Sequence, residues 1–161
     1  MKKIGIIGAM EVEVEILKKQ MEEVTLTKKA SMEFHHGKLK NEINIGDLVV
    51  STDALQHDMD AREFGYRKGQ IPQMDVFSFT ADTRLRECAV EACKKVNPDI
   101  SVFEGRVVSG DQFVADSAVK EEIIQEFAGF CTEMEGAAIA QAAYLNQIPF
   151  VVIRAISDKA D

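Results

Sequence analysis

A chain of 161 residues is one domain by length and long enough to bury a core. It is 46% hydrophobic and 29% charged, as soluble globular proteins are, and its net charge of −8 excludes a nucleic-acid partner held through excess Lys and Arg. Cys88, Cys93 and Cys131 are odd in number and lack CxxC spacing, so they read as reduced, mostly packed thiols of a cytoplasmic protein; no apolar run approaches membrane-spanning length.

Residues 2–9 (KKIGIIGA) predict a short apolar strand ending at Gly8, where backbone can come close to another group. Met10, Val14, Leu17 and Met21 then recur at helical spacing and predict a helix over 10–24. Glu11, Glu13 and Glu15 crowd its first turns, where acids complement the helix dipole. Residues 25–40 alternate as one strand, with Met32 and Phe34 on one face and Glu33 and His35 on the other. His35 and His36 are adjacent and point to opposite faces, and His57 has no partner at ligand spacing, so no metal site is expected.

Residues 47–54 (DLVVSTDA) predict an apolar strand. Residues 63–72, punctuated by Gly65, Gly69 and Pro72, read as a loop presenting Phe64 and Tyr66 as a contact surface. Thr80 or Asp82 can cap a helix reaching residue 95, with Leu85, Cys88, Ala89, Ala92 and Val96 inward. Residues 101–108 predict the next strand. It leads into Ser109-Gly110-Asp111-Gln112-Phe113-Val114, which a plain β-turn also explains. Ser117 caps a short amphipathic helix carrying Val119, Ile123, Ile124 and Phe127, and Gly129 closes it.

The last thirty residues carry the densest pattern. Glu133 and Glu135 stand at the mouth of a small-residue helix over 136–144. Residues 149–153 (PFVVI) are a continuous apolar run, the mark of a strand buried on both faces. Arg154, Ser157 and Asp158 follow just past its carboxyl end, the edge at which open α/β sheets hold ligands. Two carboxylates before one helix and an Asp after the next strand suit a polar, hydroxyl-rich small molecule. The alternation of apolar strands with amphipathic helices predicts a three-layer α/β/α sandwich with a mixed central sheet.

Glu133-Met134-Glu135 before a small-residue helix, with Arg154-Ala155-Ile156-Ser157-Asp158 after the following strand, resembles the 5'-methylthioadenosine/S-adenosylhomocysteine nucleosidases of the purine nucleoside phosphorylase-like superfamily. Gly8-Ala9-Met10-Glu11-Val12-Glu13 and Ser109-Gly110-Asp111-Gln112-Phe113 resemble the same family. The resemblance implies hydrolysis of the N-glycosidic bond of both nucleosides, releasing adenine, in methionine salvage. It implies no cofactor, no membrane and a cytoplasmic homodimer. It makes Glu13 the base that activates water and Asp158 the acid that protonates adenine, with Arg154 and the backbone near Met10 placing the water. Glu135 takes the ribose hydroxyls, Glu133 supports it, and Met134 packs under the sugar. Phe113 stacks on the base, the backbone of Val114 bonds to it, and Ser157 joins the same substrate-binding set. Phe64 and Pro72 cover the ligand tail in a neighbouring subunit.

Physical chemistry constrains those roles. A donor Asp must be desolvated or hydrogen-bonded in its neutral form, and direct contact with Arg154 would oppose this. From the residues alone, Glu135 is equally a helix N-terminal acid, and Asp158 a capping or turn Asp. A phosphorylase would need cations around phosphate, which a carboxylate at Glu13 would repel. A futalosine-type hydrolase and an inactive nucleoside-binding remnant are the other readings. Against the family pattern, a βαβ-sized stretch is missing between Asn41 and Glu42, as is a helix after Asp161, so residues 1–161 read as one shortened nucleosidase domain.

Overall fold

The computed structural model describes residues 21–29, 32–39 and 43–159. Met10, Glu13, the strand expected over 2–9, most of the helix after it, and the Asn41–Glu42 junction lie outside the described residues. The chain divides into two compact units, Met1–Glu42 and Ile43–Asp161.

In the first unit, β1 (Met21–Lys29) and β2 (Met32–Leu39) pair antiparallel, with Leu26 opposite His35 and Thr27 opposite Phe34. Two strands therefore stand where one was expected, and the helical spacing does not extend to residue 24. The β-branched, alternating run Val24-Thr25-Leu26-Thr27 outweighs the single helical match at Met21.

The second unit is built on β3 (Leu48–Gln56), whose Val49, Val50, Ala54 and Leu55 are wholly buried. The order is β4 (Phe79–Thr80), β3, β5 (Val102–Ser109), β6 (Gly129–Glu133), with β7 (Ile153–Ala155) also on β3. β3, β5 and β6 run parallel, while β4 and β7 run antiparallel to β3, so the sheet is mixed. An irregularity between Ser51 and Ala54 divides β3. Residues 48–50 pair with β7 and residues 53–54 with β4.

Ala54 and Leu55 are consecutive, so they face opposite sides of the sheet. Leu55 packs with Val108, Val114, and Ile123 and Phe127 of α2 (Ser117–Phe127). Ala54 packs with Phe79, and Ala137 and Ala140 of α3 (Gly136–Leu145). Helix, sheet and helix form the expected three layers.

Several local expectations are corrected. α1 (Thr83–Val96) is capped by Asp82, whose side chain accepts from the Leu85 amide at 2.8 Å, but none of its residues is buried. Leu85 and Val96, expected inward, are 38% and 73% exposed. The helix lies against β3 and β5, but Ala89 on it is only half-buried and Ala92 is exposed. α2 is capped by Asp116 rather than Ser117, its carboxylate accepting from the amides of Ala118 and Val119 at 2.8 and 3.1 Å. Ala128, at φ 53°, closes that helix, and Gly129 already belongs to β6. Ile124 is exposed, and so is Cys88.

The run over 149–153 is not a strand buried on both faces: β7 begins at Ile153, itself 46% exposed. The chain still bonds to β3 before that point, the Ser51 amide donating to the Val152 carbonyl and the Val152 amide to Ser51 Oγ, both at 2.8 Å. A side-chain hydroxyl thus takes one place in the ladder. Arg154 is consequently the middle residue of β7 rather than a residue beyond it.

Candidate active site

Glu133 ends β6 and is 8% exposed. Its carboxylate accepts from the amides of Glu135 at 3.2 Å and Gly136 at 2.8 Å, and from the hydroxyl of Ser109 at the end of β5. Ser109 Oγ in turn accepts from the Ala137 amide at 2.7 Å. Two side chains on adjacent strand ends therefore satisfy the first free amides of α3. A Cβ on Gly136 would lie 2.8 Å from Glu133 Oε1, so this close approach requires glycine. Arg154 Nη1 completes the cluster, 3.6 Å from Glu133 Oε2.

Glu135, the N-cap residue of α3, makes no side-chain capping bond. It is exposed, as is Met134 at 41%. The two motif carboxylates are thus distinguished: Glu133 is inward and occupied by protein donors, and Glu135 faces outward.

The Ser109–Val114 segment leaves the end of β5 beside this cluster. The Gly110 amide donates to the Glu133 carbonyl at 3.1 Å, and the Asp111 amide to Asp58 Oδ2 at 2.7 Å. Val114 is buried at 6% in the α2-side core, whereas Phe113 is 73% exposed. A cleft of about 280 Å³ adjoins this loop, lined among others by His57, Asp58, Lys68, Gln112 and Glu122. It contains none of Glu133, Glu135, Arg154 or Asp158.

Asp158 and Ser157 are exposed, with Ser157 Oγ 3.4 Å from Asp158 Oδ2. The desolvation expected of Asp158 from a buried strand is not supplied by β7. Phe64, 83% exposed, ends a short 3-10 turn (Arg62–Phe64), and Pro72 is half-buried further along the same loop. Lys68 ties that loop to α2 through Glu122, at 2.9 Å.

Residues that sequence reasoning missed brace the middle of the sheet. Arg106 forks onto Asp53, Nη2 to Oδ2 at 2.6 Å, and donates through Nη1 to the Phe127 carbonyl at 2.9 Å. Burial pushes the Asp53 carboxyl up, but bonds from Arg106, Ser78 and Thr52 outweigh it and hold its pKa below the usual value. Burial pushes the Cys131 thiol up to about 12, Glu133 adding to the effect and Arg154 opposing it. His57 is 5% exposed, and burial lowers its pKa. An Asp in the middle of an apolar strand was the one signal available for the Arg106 pair. Among the described residues, no group of three or more His, Cys, Asp or Glu is placed to hold a metal ion, and no helix is long and apolar enough to cross a membrane.

The family model of the phosphorylase superfamily matches residues 36–161. A 5'-methylthioadenosine/S-adenosylhomocysteine nucleosidase of Treponema pallidum is 42% identical over 144 residues, covering 77% of this chain and 54% of that protein. The enzyme of that name from an Exiguobacterium species is 35% identical over 205 aligned positions, covering 99% of this chain and 86% of its own. The chain belongs to the 5'-methylthioadenosine/S-adenosylhomocysteine nucleosidases, which are N-glycosyl hydrolases. Among solved structures, that nucleosidase from Neisseria meningitidis in complex with methylthio-immucillin-A superposes with a TM-score of 0.71 at 31% identity, over 95% of this chain and 84% of its own. The 205 aligned positions exceed the 161 residues of this chain, so more than forty positions of the Exiguobacterium alignment have no counterpart here.

Proposed function

We propose that this site cleaves the N-glycosidic bond of 5'-methylthioadenosine and S-adenosylhomocysteine with water, releasing adenine. The observation that carries the reading is the division of labour at Glu133. Its carboxylate is saturated by Ser109, Glu135, Gly136 and Arg154, while Glu135 and Phe113, on the two elements it joins, are left exposed. A carboxylate can accept from two vicinal ribose hydroxyls at once, and an exposed aromatic can stack on a purine. The names of the relatives and the methylthio-immucillin-A in the Neisseria structure support the same substrate class.

In this reading Asp158 donates the proton that makes adenine a leaving group, and the bound base excludes water from an Asp that is otherwise exposed. Arg154, held by Glu133, places the attacking water with the backbone near Met10, and Glu13 takes the proton from it. Ser157, Met134 and the backbone of Val114 complete the contacts to base and sugar. The exposure of Phe64 supports a homodimer in which it and Pro72 cover a partner's ligand tail. The enzyme would act in the cytoplasm, in methionine salvage. Adenine release from both nucleosides in phosphate-free, metal-free buffer tests the proposal. Turnover that begins only on adding phosphate, with a ribose-1-phosphate product, would replace it with a phosphorylase.

One observation favours a second reading. With more than forty family positions absent, the chain can hold a nucleoside without turning it over. We place the missing stretch at the Asn41–Glu42 junction, next to the division between the two compact units. Binding of adenine without release from either nucleoside would select this second reading.

A further inference from the structure

β3 ends at Gln56, and the two residues that follow do not turn away from the sheet. The His57 amide donates to the Ser109 carbonyl at 2.8 Å, extending the β3–β5 pairing by one bond. Asp58 Oδ2 accepts from the Asp111 amide at 2.7 Å, and Asp58 Oδ1 from Gln56 Nε2 at 3.0 Å. Between these bonds Gly110 lies flush against the imidazole. A Cβ there would stand 2.5 Å from His57 Nε2 and 2.9 Å from Asp58 Cγ. His57 is 5% exposed and its Nε2 has no hydrogen-bond partner, so the ring is held here as a packing surface. On the other side, the Gly110 amide is bonded to the Glu133 carbonyl.

The turn is therefore gripped from both neighbouring strand ends. Phe113 is too exposed to be placed by its own packing; its position follows from Asp111 on one side and buried Val114 on the other. We infer that His57 and Asp58 are positioning residues for Phe113, clamping the Ser109–Asp111 turn so that the aromatic ring is presented to the base. The inference rests on the reading of Phe113 as the base-stacking residue. No contact of His57 or Asp58 with substrate is required.

The test compares Asp58→Ala, Asp58→Asn, Gly110→Ala and Gly110→Ala with His57→Ala. It reads adenine affinity and, in the ligand-free protein, amide hydrogen exchange at Asp111 and Gln112. Asp58→Ala should weaken adenine binding about ten-fold, the effect of losing one charge-assisted hydrogen bond, and should speed exchange at Asp111. Asp58→Asn keeps an acceptor oxygen and should recover most of both. Gly110→Ala should weaken binding, and removing the His57 ring should restore part of it. Unchanged affinity and exchange in Asp58→Ala would overturn the clamp. So would an Asp58→Asn variant as impaired as Asp58→Ala. If the parent protein binds no adenine, the proposed function fails, and the exchange measurements alone decide whether the clamp exists.

Discussion

Arg154 Nη1 stands 3.6 Å from the buried carboxylate of Glu133, although β7 and β6 are not neighbours in the sheet. The pairing runs from β7 to β3, to β5 and to β6, three steps of ~4.8 Å in a flat sheet. The ion pair thus joins the Arg-Ala-Ile-Ser-Asp segment to the Glu-Met-Glu segment.

The two partners should fail differently when removed. Glu133→Gln replaces one acceptor oxygen by an amide that faces backbone donors, which should cost ~1–3 kcal/mol of stability as well as activity. Arg154 has a side chain 42% exposed, so Arg154→Ala should cost under ~1 kcal/mol while still lowering turnover. Urea unfolding beside adenine-release rates would separate the two effects. An Arg154→Ala protein with parental turnover would remove Arg154 from the site.

Asp158→Asn should lower turnover by ~10²–10⁴, the usual contribution of a general acid, with adenine binding largely retained. The amide keeps the shape and can hydrogen-bond the base but cannot deliver a proton. Single-turnover rates beside adenine affinity measure this. Near-parental turnover would assign the proton to another group.

The motifs of this site were legible because they are contiguous. Glu133 and Glu135 stand two residues apart at a helix mouth, and the small residues after them announce close packing. Which of the two would be buried was not legible. That depends on Ser109, twenty-four residues away, reaching Glu133 across β5 and β6. The direction of β7 was equally hidden, since an apolar run states burial but not which strand it joins or in which sense. Cap residues failed by single positions for a local reason: Asp116 reaches two amides where Ser117 was favoured. The layers survived these errors, because Ala54 and Leu55 fix two faces whatever the boundaries.

The Asp53–Arg106 pair should govern the acid limb of stability. With its folded pKa depressed, Asp53 stabilises the protein above the unfolded Asp value, ~3.9, and that contribution is lost as pH falls through the folded value. Asp53→Asn should therefore cost about 2–3 kcal/mol at neutral pH, short of a fully buried pair because the Arg106 side chain keeps 27% exposure. The gap between variant and parent should narrow below pH ~4. Urea titrations on either side of that pH test it, and a gap that is constant with pH would contradict it.

The three thiols should react in a fixed order. Cys88 is exposed on α1, whereas the Cys131 thiol is pushed up to about 12 and so carries almost no thiolate at pH ~8. A thiol-specific aromatic disulfide reagent should modify Cys88 first and Cys131 last, as read by peptide mass against time. Early modification of Cys131 would show that the β6 edge opens readily.

The final prediction concerns the family positions this chain lacks. Strands inside a sheet bond on both edges, and each buried group left unpaired costs ~1–3 kcal/mol against a total stability of ~5–15 kcal/mol. Among the described residues β6 pairs with β5 alone, and α1 has no buried residue. Both are surfaces that a longer relative can cover. Inserting the corresponding stretch of the Exiguobacterium enzyme between Asn41 and Glu42 should therefore raise the melting temperature and the rate of adenine release. A gain of about 10²-fold in rate is expected, the penalty that a misplacement of ~1 Å imposes on a catalytic group. Calorimetry and adenine release on the two proteins side by side make the comparison. Equal turnover in both would show that Glu135, Arg154 and Asp158 are held in working positions without that stretch.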